Sequence, residues 1–179
     1  HGFSLRSRLE GNDFTPDGGK TEVRNENDKS YGTVSLRQAI AKSINTAFVD
    51  MVSRTKNGPK AVVQAATDAG VPRGTGWDLN NRIALGTAEV SPLAQAGGYA
   101  TIADGGKKVT PHVVDKVVDQ SGKVLYHAPS PSEQTIEADI SHDVTYALRS
   151  VVEEGTGRIV ADFDHQVAGK LSLIHISEP

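Results

Sequence analysis

The sequence predicts an α+β fold in which helices pack on an antiparallel sheet. Apolar residues recur at three- and four-residue intervals between Leu36 and Val52, which is the spacing of one helical face. Two runs rich in β-branched residues, within 109–127, flank the turn sequence DQSG and predict a hairpin. Strands and helices do not alternate regularly, which favours α+β over a doubly wound parallel sheet.

Capping and breaking residues set the bounds of the first two predicted helical segments. Ser35 is a candidate N-cap for the periodic stretch that starts at Leu36. The next helix begins at 57–59, where the proline suits a first turn, and Gly70 ends it. These signals predict one helical stretch over 35–52 and a second helix up to Gly70.

Two further helices and a final strand follow. Ser91 with the proline after it opens a third helix, whose many small residues predict close packing against a neighbour. Ser141 is a candidate cap for a fourth helix, and Gly155 ends it. The glycine-rich turn that follows leads into a predicted strand ending at Lys170.

Polar residues interrupt the apolar face of the first helical stretch. Ser43 lies where that face should be apolar, and Asn45 follows two residues later. Polar groups on an inward face need buried partners or a cleft. A Ser-x-Asn triplet also occurs often by chance, so a back-bonded turn at a helix junction remains an alternative at this point.

Composition bounds the classes of function. The chain has 179 residues and a formal net charge of −3, which suits a soluble globular domain and gives no basis for a nucleic-acid surface. It has no cysteine, which excludes disulfides and thiol chemistry. No two of the six histidines have metal-ligand spacing, so no metal and no cofactor is predicted.

The stretch SYGTVSLRQAIAKSINTAFVDM, residues 30–51, resembles the region around the second motif of penicillin-binding proteins. It is most similar to the transpeptidase domain of class A, bifunctional peptidoglycan synthases of actinobacterial type. Segments at 57–72, 83–127 and 151–160 resemble later parts of that domain in the same order. The resemblance covers 1–170 and implies a partial serine β-lactamase/D,D-transpeptidase-like domain that is incomplete at both ends.

The resemblance also implies roles for individual residues. The family's third motif is Lys-Thr/Ser-Gly on a strand, and the run VAGK puts Lys170 where its lysine should stand. Ser43 would carry a proton between the catalytic base and the leaving amine. Asn45 would hold the nucleophile's lysine and contact the substrate amide. Lys170 would attract the substrate carboxylate, and Gly169 would lie beside the bound peptide.

The sequence departs from the family in two places. The family's nucleophile belongs to a Ser-x-x-Lys motif that precedes the second motif, whereas the spacing found here, Ser53 to Lys56, follows it. We therefore expect the nucleophile upstream of residue 1 and an inactive chain as given. Lys170 is also followed by Leu171 and a serine instead of Thr-Gly.

The last nine residues, LSLIHISEP, resemble the in-frame translation of a transposase sequencing adapter. This resemblance predicts a partial transpeptidase domain over 1–170 and a non-native tail over 171–179. A genuine terminal strand is the alternative, because LSLIHI alternates as a strand would.

The family resemblance implies a D,D-transpeptidase that binds D-Ala-D-Ala stem peptides and β-lactams outside the plasma membrane. The full-length protein would carry a membrane anchor and a glycosyltransferase domain, with cell-wall synthesis proteins as candidate partners. A monofunctional penicillin-binding protein, a β-lactamase and a non-catalytic binding or sensing module are the alternatives. The sequence preceding residue 1 would discriminate the enzyme from the module.

Overall fold

The computed structural model describes residues 2–16, 19–130 and 133–171. Within these ranges the chain forms helices and short antiparallel strands, which confirms the predicted α+β class. The helices, in chain order, are α1 Leu36–Lys42, α2 Asn45–Arg54, α3 Gly58–Asp68, α4 Pro92–Ala103 and α5 Ala138–Glu153. Short 3₁₀ helices lie at Glu26–Asp28, Asn81–Leu85 and Arg158–Val160.

The strands form two antiparallel pairs. Strand β1, Arg8–Glu10, pairs with β2, Thr33–Ser35, and β3, Lys116–Val118, pairs with β4, Val124–His127. The second pair confirms the predicted hairpin, although β3 is shorter than the apolar run that predicted it.

Contacts divide the chain into two compact units. The first consists of the described parts of His1–Gln64, Gly74–Glu89 and Asp143–Pro179. The second consists of the described parts of Ala65–Arg73 and Val90–His142. The candidate site residues all belong to the first unit.

The core of the first unit lies between the β1–β2 pair and the first two helices. The buried apolar side chains of this core come from both strands, from α1, from α2 and from the residue that joins the two helices. They are Leu9, Val34, Leu36, Ala39, Ile44 and Ala47. Burial of such side chains is the main stabilising contribution here, at about 25 cal/mol per Å² of apolar surface. This core fixes the relative placement of α1 and α2.

The second unit packs α4 closely, as its small residues predict. A Cβ added at Gly98 would lie 2.9 Å from Val71 Cγ2, so a larger residue at this position would require Val71 to shift. Ser91 caps α4 by accepting from the Ala94 N–H at 3.2 Å, which confirms the predicted start of the helix.

The predicted single helical stretch over 35–52 is wrong, because the helix divides at Ser43. Ser43 has φ 56° and ψ 47°, a left-handed conformation that ends α1, and α2 begins at Asn45. The cap predicted at Ser141 is wrong too. Helix α5 begins one turn earlier, at Ala138, and Ser141 is fully buried inside its first turn.

The predicted strand leading into Lys170 is also corrected. Residues 166–170 have no regular secondary structure. The Gly169 N–H donates instead to the Leu148 carbonyl of α5 at 3.4 Å, so this segment attaches to a helix and not to a sheet edge. The expected tail lies outside the described residues except for Leu171.

Candidate active site

Helix α1 carries its C-terminus to the candidate site. Its start is fixed by Ser35, whose hydroxyl accepts a hydrogen bond from the Gln38 N–H at 3.2 Å, as the sequence predicts. The helix is only about two turns long, so fixing its first turn also fixes the place of its last residue in the fold. It ends at Ser43.

Ser43 occupies the left-handed position of a Schellman motif. Its N–H donates to the Ile40 carbonyl at 3.3 Å, and the Ile44 N–H reaches back to the Ala39 carbonyl at 3.0 Å. Ile44 is buried, which supplies the apolar contact that accompanies this motif. Glycine is the usual residue here, because a side chain costs about 1 kcal/mol in this conformation. Ser43 therefore stands in a conformation that its residue type disfavours.

Lys170 meets Ser43 from the far end of the described chain. Its Nζ donates to Ser43 Oγ at 2.6 Å and to the Leu171 carbonyl at 2.8 Å. The lysine is partly buried, and this burial lowers its pKa below the ordinary value because desolvation disfavours the ammonium. A hydroxyl next to an amine of lowered pKa is an arrangement through which a proton can move.

The C-terminal end of α5 packs against the end of α1. The Thr156 N–H donates to the Ala41 carbonyl at 3.1 Å, two residues before Ser43. A Cβ at Gly155 would collide with the same carbonyl oxygen, so the two helix ends approach as closely as a glycine permits. Arg37 and Glu154 form an ion pair at 2.9 Å beside this contact. The packing fixes the chain that returns from α5 toward Lys170.

Asn45 is held by a different neighbour. It is the first residue of α2, and its Nδ2 donates to the Arg24 carbonyl at 3.2 Å. The structure thus joins Ser43 and Lys170 by a hydrogen bond, whereas Asn45, two residues after Ser43 in sequence, is attached to the loop at Arg24.

Gly169 is attached to α5, because its N–H donates to the Leu148 carbonyl. A Cβ added at Gly169 would meet nothing within 4 Å.

Sequence reasoning missed Asn25. This residue is 5% exposed, and its Oδ1 accepts from both the N–H and the hydroxyl of Thr46 at 3.1 Å. The apolar periodicity that predicts helices does not register a single asparagine in a polar loop, so the sequence carried no signal for it.

Ser53 does not take part in the site. It lies on the last turn of α2, exposed, and its hydroxyl donates to the Asp50 carbonyl of the same helix at 2.7 Å. Lys56 follows after the helix has ended.

The described residues contain no group of three or more His, Asp or Glu side chains that could hold a metal ion. In the same ranges, no helix combines the length and apolar character needed to cross a bilayer.

Comparison with known proteins identifies the family of this domain. The family model of the penicillin-binding protein transpeptidase domain matches residues 2–170. The chain therefore belongs to the penicillin-binding protein transpeptidase family, as its resemblance predicted.

Proteins similar to this chain include penicillin-binding proteins of the 1A and 1B types, which are class A. Penicillin-binding protein 1A of Mycolicibacterium smegmatis is 32% identical over 78% of this chain, and that of Aquifex aeolicus is 34% identical over 82%. The chain spans 20% of the length of each of these relatives.

A solved structure shares the fold. The PonA1 protein of Mycobacterium tuberculosis, in complex with penicillin V, matches 84% of this chain and 43% of its own with a TM-score of 0.74 and 29% identity.

Proposed function

We propose that this chain is part of a D,D-transpeptidase that cross-links peptidoglycan through an acyl-serine intermediate. The observation that carries this proposal is the 2.6 Å hydrogen bond between Lys170 and Ser43. It joins, across 127 residues, the two positions at which the family's second and third motifs are expected. The penicillin V complex of the relative supports a β-lactam as a second ligand of the same site.

The proposed reaction proceeds in two steps. A serine hydroxyl attacks the carbonyl carbon between the two D-Ala residues, the C–N bond breaks, and D-Ala leaves after its nitrogen takes a proton. The amine of a second stem peptide then attacks the acyl-serine ester, which restores the serine hydroxyl and forms the cross-link. A β-lactam follows the first step alone, and its opened ring stays attached to the serine.

Ser43 serves the proton transfers in this scheme. A hydroxyl donates and accepts at once, so it can pass a proton from the catalytic base to the leaving nitrogen. Lys170 contributes charge for the substrate's terminal carboxylate, and its lowered pKa eases proton exchange with Ser43. Asn45 contacts the lysine next to the nucleophile and the substrate amide, and the backbone of Gly169 lies along the bound peptide.

The nucleophile is proposed to lie outside residues 1–179. Ser53 is the serine with Ser-x-x-Lys spacing, but its hydroxyl bonds its own helix and its lysine lies beyond that helix. In a Ser-x-x-Lys motif both side chains must share one helical turn so that the base reaches the nucleophile. The chain as given is therefore proposed to be inactive.

The tail is proposed to be foreign to the domain. The family match covers residues up to Lys170, which supports assigning the transpeptidase domain to 1–170 and a non-native segment to 171–179. The genomic sequence tests this. We expect Thr-Gly or Ser-Gly after Lys170, and the codons for LSLIHISEP in the genome would contradict the assignment.

The class A relatives support a wider proposal for the full-length protein. It would combine this domain with a glycosyltransferase domain and a membrane anchor, and act on the outer face of the plasma membrane. Its substrates would be stem peptides ending in D-Ala-D-Ala, and other cell-wall synthesis proteins are candidate partners.

Labelling with a fluorescent penicillin tests the proposed function. We expect a covalent band that survives denaturation on the full-length protein, and none on the 179-residue chain. Substituting the upstream motif serine should abolish the band, while the control Ser53→Ala should leave it unchanged. A covalent band on the 179-residue chain would contradict the placement of the nucleophile. Reversible penicillin binding without a band on the full-length protein would instead support a binding or sensing module.

A further inference from the structure

We propose that Asn25 is a positioning residue for the Ser43–Asn45 segment, acting from a loop far from it in sequence. It touches neither Ser43 nor Lys170 by a hydrogen bond that the structure describes. Its effect would pass through the first turn of α2. The inference deepens the proposed transpeptidase function and rests on it for its catalytic consequence.

The side chain of Asn25 is fully satisfied in a buried position. Its Nδ2 donates to the Gly11 carbonyl at 2.8 Å and to the Lys29 carbonyl at 3.0 Å. Its Oδ1 accepts from the N–H and the hydroxyl of Thr46. An asparagine amide can donate two hydrogen bonds and accept two, so every one of these capacities is used. A network of this kind holds one geometry, because any rotation leaves a buried polar group unpaired.

Helix α2 needs Asn25 because the side chain of its own N-cap residue cannot accept a hydrogen bond. Ile44 occupies the N-cap position and has no side chain that can accept a hydrogen bond. Thr46 is fully buried, so water cannot satisfy its N–H. Asn25 Oδ1 therefore supplies the cap from 21 residues away in sequence.

The same loop also holds the side chain of Asn45. The Arg24 carbonyl accepts from Asn45 Nδ2, and the next residue along the loop, Asn25, accepts from Thr46. Two consecutive loop residues thus fix two consecutive residues of α2. Ser43 lies immediately before this turn, between the end of α1 and the start of α2. The orientation of its hydroxyl depends on both helix ends staying in place.

Acylation kinetics of the full-length protein distinguish positioning from simple stabilisation. The measured quantity is the first-order acylation rate constant at saturating fluorescent penicillin, together with the labelled fraction at the end point. We expect Asn25→Ala to lower the rate constant about tenfold or more, because small displacements of reacting groups are costly. A residue that only stabilises the fold would reduce the labelled fraction and leave the rate constant unchanged.

The matched control is Asn12→Ala. Asn12 also attaches a loop to the β1–β2 region, since its Oδ1 accepts from the Gly32 N–H at 2.9 Å, but among the described residues it forms no hydrogen bond to α2. We expect its rate constant to stay within twofold of the wild type. Asn25→Ser is a milder second variant, because its hydroxyl keeps a polar group in the buried site but is one atom shorter than the amide that caps Thr46. Its rate constant should fall about threefold or more.

Two results would overturn the inference while leaving the proposed function intact. In the first, the full-length wild type is labelled, but Asn25→Ala and Asn25→Ser are acylated with the same rate constant as the control Asn12→Ala. The other is a Thr46 amide that exchanges hydrogen at the unprotected rate in the full-length protein while the rest of α2 stays protected, which would mean that Asn25 does not cap α2. A full-length wild type that is never labelled would instead overturn the proposed function, and the positioning role with it.

Discussion

Ser43 meets two opposing requirements. Its left-handed conformation favours glycine, whereas the contact with Lys170 needs an oxygen atom at that position. Non-glycine residues in this conformation persist when the surrounding structure determines them, and they concentrate at functional sites. Here the hydrogen bonds of the Schellman motif and the burial of Ile44 hold Ser43 in the left-handed conformation.

The strain at Ser43 can be measured with two substitutions that both remove the hydroxyl. Ser43→Gly relieves the left-handed conformation, whereas Ser43→Ala keeps it. We expect the glycine variant to have a free energy of unfolding about 0.5–1 kcal/mol higher than the alanine variant, measured by urea denaturation. An alanine variant of equal or greater stability would show that this position is not left-handed.

The pKa of Lys170 has a consequence for stability. Burial lowers this pKa in the folded state, so the unfolded chain binds the proton at a higher pH than the folded chain does. The free energy of unfolding should therefore rise with pH between the folded pKa and the unfolded value of about 10.4. The same contribution is lost as the pH falls through the folded pKa.

Carbon NMR of the Lys170 ε-carbon tests this direction. We expect its titration midpoint below about 10.4, and we expect Lys170→Met to flatten the rise in the urea midpoint over the same alkaline interval. A midpoint at or above the ordinary lysine value would contradict the partial burial of the ammonium.

At the scale of elements, local signals predicted those boundaries whose caps are local. Ser35 and Ser91 both cap the helices that follow them, and Gly70 follows the end of α3. The division at Ser43 escaped prediction because a serine does not signal a left-handed helix end as glycine does, and because the cap of the next helix is distant in sequence. The cap of α2 comes from Asn25, and an apolar stripe continues across the break.

The start of α5 and the strand before Lys170 were predicted wrongly for a related reason. A serine suits an N-cap, but Ser141 is buried within the helix, where tertiary packing overrides the local preference. The glycine-rich turn after α5 was expected to lead into a strand before Lys170. A strand forms only beside a partner, and in the described residues this segment attaches to Leu148 of α5.

The contact between α5 and α1 yields a third prediction. Gly155→Ala forces a Cβ into the Ala41 carbonyl, and we expect it to lower the free energy of unfolding by about 1–3 kcal/mol. Gly169→Ala is the matched control for stability, because a Cβ there meets nothing within 4 Å. Urea denaturation should separate the two variants. Equal stability of both would mean that the two helix ends are not in close contact.

At the scale of the whole molecule, the candidate site depends on chain segments that are distant in sequence. Ser43 follows α1, Lys170 follows α5, and the close approach at Gly155 brings the two together within the first unit. The family resemblance predicted both positions, because its motifs mark them. Neither periodicity nor composition could have joined them, since packing alone determines which distant segments meet.

The proton-transfer role of the Ser43–Lys170 pair is tested by the acylation rate constant of the full-length protein carrying Ser43→Ala. We expect a fall of about 100-fold or more, because a positioned acid–base group contributes about that much to a rate. The labelled fraction at the end point should stay near that of the wild type. Acylation of Ser43→Ala by fluorescent penicillin at the wild-type rate would contradict the role assigned to the Ser43–Lys170 pair.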